Sequence, residues 1–240
     1  MTDKRLPIVF VHGIRLSHAE WSAEVDLLHT RGYQATAVDL PGHGLRRGDK
    51  FTLDGATGII ADAIDELGGT ALLVGHSLGG YVALAAAAQF PDKLAGLVVT
   101  GSTATPNRYL GLPFLGAHQA LTRLPNSGDA VSRFAMQRLA PPRTGQAIVE
   151  RGIATEVIPD VVREVVGFNP LAAAAQFTGP TWYINGRHDH FRLHEKRFLN
   201  ASADGRLHVV RGAGHYLPIT HADEFTAILE NIVEELTTSA

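Results

Sequence analysis

Strand-length runs of apolar residues recur along this sequence without polar alternation, and nothing else in it constrains the fold as much. They fall at residues 7–11, 34–38, 71–74, 94–100, 181–184 and 207–210, most plainly in Ile8-Val9-Phe10-Val11 and Leu97-Val98-Val99. A strand with one wet face alternates polar and apolar residues, whereas one that is apolar throughout is covered on both faces. Segments of helical period separate the runs, at 53–67, 78–89 and 222–236. The pattern predicts an α/β fold with a parallel sheet between helical layers.

Composition narrows the function classes. With 240 residues, 45% of them hydrophobic and 19% charged, the chain can bury one large core and is not a disordered chain. It has no cysteine, which removes disulfides, thiolate metal sites and Cys nucleophiles. A formal charge of −3 gives no basic footprint for nucleic acid. No stretch reaches the ~18 apolar residues of a membrane helix. Met1-Thr2-Asp3-Lys4-Arg5 leads straight into the first strand, without the apolar core of a signal peptide. The expectation is a cytoplasmic protein with no membrane or nucleic-acid partner.

One window breaks the alternation. Residues 103–178 separate two strands that a simple crossover would join in far fewer. The window holds seven of the twelve prolines and seven arginines, but no lysine. Periodic pieces at 127–139, 145–156 and 159–166 read as short helices broken at Pro141-Pro142, Pro159 and Pro170. The expected organisation is a core of residues 1–102 and 179–240, with 103–178 as a helical cap; one long crossover is the alternative.

Ligands of open parallel sheets bind beyond the carboxyl ends of the strands. Those ends carry His12-Gly13-Ile14, Asp39-Leu40-Pro41-Gly42-His43-Gly44, Gly75-His76-Ser77-Leu78-Gly79-Gly80, Asn185-Gly186-Arg187-His188-Asp189 and Gly212-Ala213-Gly214-His215. The third is G-x-S-x-G, a weak signal alone. Its position, between a strand and a helix, makes it a sharp turn that exposes the Ser77 hydroxyl and leaves no room for side chains at Gly75 and Gly79. Gly75 to Gly80 also fits G-x-x-x-x-G, but Tyr81-Val82 follows where a phosphate loop needs Lys-Ser/Thr. Gly42-His43-Gly44 has Arg47 in place of the third glycine of a dinucleotide fingerprint.

A serine nucleophile needs a general base and a group to orient it. Of twelve histidines, His215 stands out, because it follows the last strand in a tight glycine turn. His208 lies within that strand and His221 at a helix start. The strand before it ends near Asp189, whereas the strand at 94–100 is followed by Gly101-Ser102-Thr103, which offers no carboxylate. The candidate triad is Ser77, His215 and Asp189. His188 and His190 flank Asp189 but project to the opposite side of an extended segment, so no metal site is expected.

These motifs, in the order Ser77, Asp189, His215, resemble the α/β-hydrolase superfamily, especially small capped esterases and lactonases. The resemblance covers about residues 7–101 and 180–236. It implies a mostly parallel six-stranded sheet, because the chain begins at the family's third strand. It also implies an oxyanion hole formed by the backbone N–H groups of Ile14 and Leu78, and a bracing role for His12, Asp39 and His43. Arg15, beside that hole, and His76, beside the nucleophile, become candidate substrate-binding residues, with a solvated Arg15 as the alternative.

The leading expectation is a cofactor-free hydrolase of a carboxylic ester, lactone or thioester, acting through an acyl-enzyme. The same triad serves C–C bond hydrolysis, lyase or cyclase chemistry in some relatives, and others are small-molecule receptors. Apolar segments at 110–115 and 134–139 suggest a mid-sized, largely apolar small-molecule substrate.

Overall fold

The computed structural model describes residues 5–238; residues 1–4, part of the stretch read for a targeting signal, lie outside the described residues. Six strands form one sheet: β1 (Ile8–Val11), β2 (Ala35–Val38), β3 (Ala71–His76), β4 (Leu94–Thr100), β5 (Pro180–Gly186) and β6 (Asp204–Val210). Their order is β2-β1-β3-β4-β5-β6, and every pairing is parallel. The helices are α1 (Ser22–Thr30), α2 (Leu53–Glu66), α3 (Leu78–Gln89), α4 (Arg108–Thr122), α5 (Asp129–Leu139) and α6 (Pro142–Arg151). They continue as α7 (Ile158–Gly167), α8 (Pro170–Gln176), α9 (Glu195–Ala201), α10 (Leu217–Thr220) and α11 (Ala222–Thr238).

Unbroken apolar strands follow from two separate cores. Ile8 and Phe10 of β1, with Leu72 and Val74 of β3, pack against Trp21, Leu28, Phe225 and Leu229 on one side. Val9, Val11 and Leu73 face Ile60, Ile64 and Val82 on the other. Successive strand residues thus enter opposite layers, and each layer demands an apolar side chain. In α11 the spacing Phe225, Leu229, Ile232, Val233 makes the apolar stripe that covers the sheet. Helix α3 is buried nearly all round, between the sheet, α2 and α8. Its alanines at 85–87 keep it close to its neighbours.

Strand order locates the site. The chain winds outward from β1 to β2, then returns to the other side of β1 with β3. The loops leaving β1 and β3 therefore diverge and open a crevice at the carboxyl end of the sheet. Ser77 follows β3, and Gly13-Ile14 lies in the loop after β1.

Residues 103–178 form α4 to α8 between β4 and β5. Helix α4 packs on α7, α5 on α6, and α8 on α3. Ala173 and Ala174 of α8 join the core beneath α3. The expected boundary at residue 178 thus separates α8 from the layer it packs in. Helix α4 holds Pro113 in its interior and starts at Asn107, whose side chain accepts from the N–H groups of Tyr109 and Leu110. Among the described residues no helix is long and apolar enough to cross a membrane.

Candidate active site

Ser77 occupies a backbone conformation that few L-residues adopt, with φ 53° and ψ −115°. Such strain costs about 1–3 kcal/mol and persists only where the surroundings over-determine it. Here β4 anchors the turn, since Ser77 N–H donates to Thr100 O at 2.9 Å. The flanking glycines are required by space. A Cβ on Gly75 would lie 2.3 Å from Gly79 O, and one on Gly80 2.2 Å from Ser102 Oγ. The G-x-S-x-G-G string is thus the imprint of a strand and helix packed too closely for side chains.

Three loops converge on Ser77. His215 Nε2 lies 3.1 Å from Ser77 Oγ, and His215 Nδ1 lies 3.1 and 3.2 Å from the two Asp189 oxygens. An Nδ1–H donating to Asp189 leaves Nε2 as acceptor for the serine hydroxyl. Asp189 Oδ1 also accepts from Phe191 N–H at 2.7 Å. Glycines again permit the approach: a Cβ on Gly101 would stand 3.0 Å from His215 Cε1, and one on Gly186 2.3 Å from Gly214 O.

Electrostatics keep the group ready to accept a proton. Burial pushes the His215 imidazole down; the hydrogen bond it donates to Asp189 opposes this, and the charges of His76 and His190 add to the lowering. Burial alone would raise the Asp189 carboxyl, but His215, the Phe191 N–H and the charge of His76 hold it below the usual carboxylate range. A neutral imidazole beside an ionised carboxylate can take a proton from a serine at neutral pH.

Two clefts meet at Ser77. The first runs beneath α4 and α7 and is walled by Leu110, Phe114, Val161, Val162, Val165 and Phe191. The second is more polar and includes Leu16, His190, His215 and Tyr216. Ile14 borders both clefts, and Leu78 the first. Leu78 opens α3, where backbone N–H groups precede any intrahelical acceptor. The segment at 110–115 thus contributes to the cleft. The segment at 134–139 does not: Phe134 is exposed to solvent, and Met136 packs in a separate cluster with Leu16, Ile148 and Ile219.

A sequence model of the alpha/beta hydrolase family matches residues 8–228, from β1 into α11. The chain belongs to the alpha/beta hydrolase family. Over its full length it is 28% identical to the pimeloyl-[acyl-carrier protein] methyl ester esterase of Stenotrophomonas maltophilia, covering 98% of this chain and 96% of that protein. It is 25% identical to the 2-hydroxy-6-oxononadienedioate/2-hydroxy-6-oxononatrienedioate hydrolase of Klebsiella pneumoniae, covering 96% and 88%. Among solved structures, a carboxylesterase of Nitrososphaera gargenis superposes with a TM-score of 0.81 at 18% identity, covering 99% of this chain and 93% of that one. The enol-lactonase of Burkholderia xenovorans superposes with 0.77 at 19%, covering 96% and 92%.

Two expected substrate contacts of this alpha/beta hydrolase are occupied otherwise. Arg15, at φ 70°, turns its guanidinium to Ser132 Oγ of α5 at 2.5 Å and Thr155 Oγ1 at 3.1 Å, while its carbonyl accepts from Ala154 N–H. It ties the β1 loop to the β4–β5 insertion and lines neither cleft. His76 has both ring nitrogens engaged, with Glu20 and with the His215 carbonyl, so no nitrogen is left for a substrate. Asp39 accepts from the N–H groups of His18 and Leu45, which ties its loop to the turn after β1. His12 spans strands, accepting at Nε2 from Leu40 N–H. Among the described residues no three His, Asp or Glu side chains converge as a metal site, and His188 and His190 are exposed.

Glu20, Tyr81, Phe191 and Tyr216 were not singled out in the sequence. Phe191 stands two residues after Asp189 and Tyr216 directly follows His215, so proximity to the motifs was their only signal.

Proposed function

We propose that this alpha/beta hydrolase is a cofactor-free serine hydrolase that cleaves a carboxylic ester, lactone or thioester with a mid-sized, largely apolar acyl part. One observation carries the reading: the hydrogen-bonded line Asp189–His215–Ser77 opens onto a cleft walled by aliphatic and aromatic side chains. In the proposed reaction, Ser77 Oγ attacks the carbonyl carbon while His215 Nε2 takes its proton. The oxyanion is held by the N–H groups of Ile14 and Leu78, and losing one such donor typically costs about 3 kcal/mol of barrier. His215 then protonates the departing oxygen or sulfur, leaving the acyl group on Ser77. Water, deprotonated by His215, attacks the acyl-enzyme and releases the acid. The reading keeps the cytoplasmic setting expected from the sequence.

Hydrolysis of a C–C bond next to a carbonyl is the second reading, favoured by full-length relatives named as 2-hydroxy-6-oxononadienedioate/2-hydroxy-6-oxononatrienedioate hydrolases. Those names describe dicarboxylates, and a carboxylate in an aliphatic cleft meets a large desolvation cost. Uncharged acyl chains fit the walls better. The test is covalent labelling with a fluorophosphonate, followed by turnover of p-nitrophenyl esters, lactones and thioesters beside a ring-cleavage diketone. Labelling lost in Ser77→Ala, with ester turnover, is the expected result. Turnover of the diketone alone would overturn the ester reading, and labelling that survives in Ser77→Ala would remove the nucleophile assignment.

A further inference from the structure

Between β1 and α1 the chain makes a short helical turn, His18–Trp21, which buries Glu20 completely. Its two carboxylate oxygens go to different parts of the site. Oε2 accepts from Gly13 N–H at 2.6 Å, and Oε1 lies 2.5 Å from His76 Nδ1. The opposite nitrogen of the same ring, His76 Nε2, donates to the carbonyl oxygen of His215 at 2.9 Å. Gly13 directly precedes Ile14, a proposed oxyanion donor, and His215 is the proposed base. The line thus runs from the oxyanion loop to the backbone of the base through two side chains with almost no exposure to water. Burial would discharge the imidazole, yet the charge and hydrogen bond of Glu20, with the His215 carbonyl and the charge of Asp189, together outweigh it and raise His76. A buried ion pair is a poor source of stability, because desolvation offsets the attraction. What this one supplies is a fixed distance.

We propose that Glu20 and His76 are positioning residues, a carboxylate–imidazole unit that sets the oxyanion loop and the general base at a fixed separation on either side of Ser77. The proposal rests on the serine-hydrolase reading. Both side chains are buried, and each acts through the backbone it holds. Reach, more than charge, is what the device requires. In Glu20→Gln the amide oxygen accepts from Gly13 N–H and the amide nitrogen donates to Nδ1 of a neutral His76, whose Nε2–H still serves His215. Glu20→Asp is one methylene shorter and cannot span both partners, and Glu20→Ala makes neither bond.

The experiment compares these three variants with the wild-type chain in ester turnover. Rates are normalised to the fraction of Ser77 that a fluorophosphonate titrates, and thermal melting is recorded alongside. Glu20→Gln keeps kcat within about threefold, while Glu20→Asp and Glu20→Ala lose about 10–100-fold in kcat with KM within about twofold, because misplacement and a weakened oxyanion donor act on the transition state. Retention of kcat in Glu20→Ala overturns the proposal. So does a loss in Glu20→Gln equal to that in Glu20→Ala, or a loss that disappears on normalisation. Failure of both shorter variants to fold, with Glu20→Gln active, assigns the pair to the scaffold and also overturns it. A wild-type chain that refuses the fluorophosphonate overturns the hydrolase reading itself; a labelled wild type with an unaffected Glu20→Ala overturns only the positioning role.

Discussion

Gly79 and Val11 meet with no space for a side chain between them: a Cβ on Gly79 would stand 2.1 Å from the Val11 carbonyl oxygen. The first turn of α3 is thereby pressed onto the end of β1, which brings Leu78 beside the Gly13–Ile14 loop. The two proposed oxyanion donors owe their proximity to this contact.

Gly79→Ala forces α3 away from β1. We expect a stability loss of about 1–3 kcal/mol from overpacking, and a larger proportional loss of kcat. Gly58 in α2 is the contrast, since a Cβ there meets nothing within 4 Å. Gly58→Ala stabilises the chain by up to about 1 kcal/mol with activity unchanged. Thermal melts and ester turnover of both variants check this; equal effects at the two sites would contradict it.

In the proposed mechanism turnover depends on neutral His215, whose imidazole lies below its ordinary value through burial and the charges of His76 and His190. The acid limb of kcat/KM therefore falls below the pH at which a free imidazole titrates, so activity persists into mildly acid solution. A pH–rate profile on the free enzyme reads the midpoint. A midpoint at or above the ordinary imidazole value would show that burial does not control the base.

Glu24, in the first turn of α1, is fully buried, and among the described residues no other gives either carboxylate oxygen a hydrogen bond. Burial pushes its carboxyl up to about 8, helped by the charges of Glu20 and Asp223. Between the unfolded value near 4.5 and about 8, the native chain holds a proton that the unfolded chain has released. Stability therefore falls as pH rises through that window, by on the order of 3 kcal/mol at pH 7. Glu24→Met should raise the melting temperature more at pH 8 than at pH 5.5. A gain independent of pH would refute the buried-carboxyl account.

Val165 walls the apolar cleft, whereas Phe134 is 65% exposed on α5. Val165→Phe should shorten the preferred acyl chain and leave p-nitrophenyl acetate within about threefold, each refused methylene being worth roughly 1–3 kcal/mol. Phe134→Ala should leave the ranking unchanged. Chain-length profiles of the two variants decide it: an unshifted ranking in Val165→Phe would place the acyl group elsewhere.

The centre of the sheet was legible because its strands are buried on both faces, so Ile8 to Val11 and Leu97 to Val99 show no alternation. The positions of Ser77, Asp189 and His215 were legible because strand ends and close-packed glycines mark them. Helix α4 was not, since Pro113 reads as a break; its missing N–H and its ring are accommodated inside the helix. Helix α8 is seven residues of mostly alanine and carries no periodic signal. Glu20 was hidden for a different reason. An acidic residue before Trp21 looks solvated, and its partner His76 is 56 residues away, brought to it only by the parallel pairing of β1 and β3. Arg15 looked available to a substrate because its partners, Ser132 and Thr155, lie more than a hundred residues downstream.

The members of the candidate site do not share one foundation. Ser77 rides on β3, which has a neighbour on each side, while His215 follows β6, an edge strand whose Leu207 and His208 are exposed. Edges fray before centres, because fewer bonds hold them. Gentle heating or mild urea should therefore detach the base while the nucleophile is still mounted. Catalysis then fades ahead of the bulk unfolding signal, and returns on cooling as long as the middle of the sheet has held.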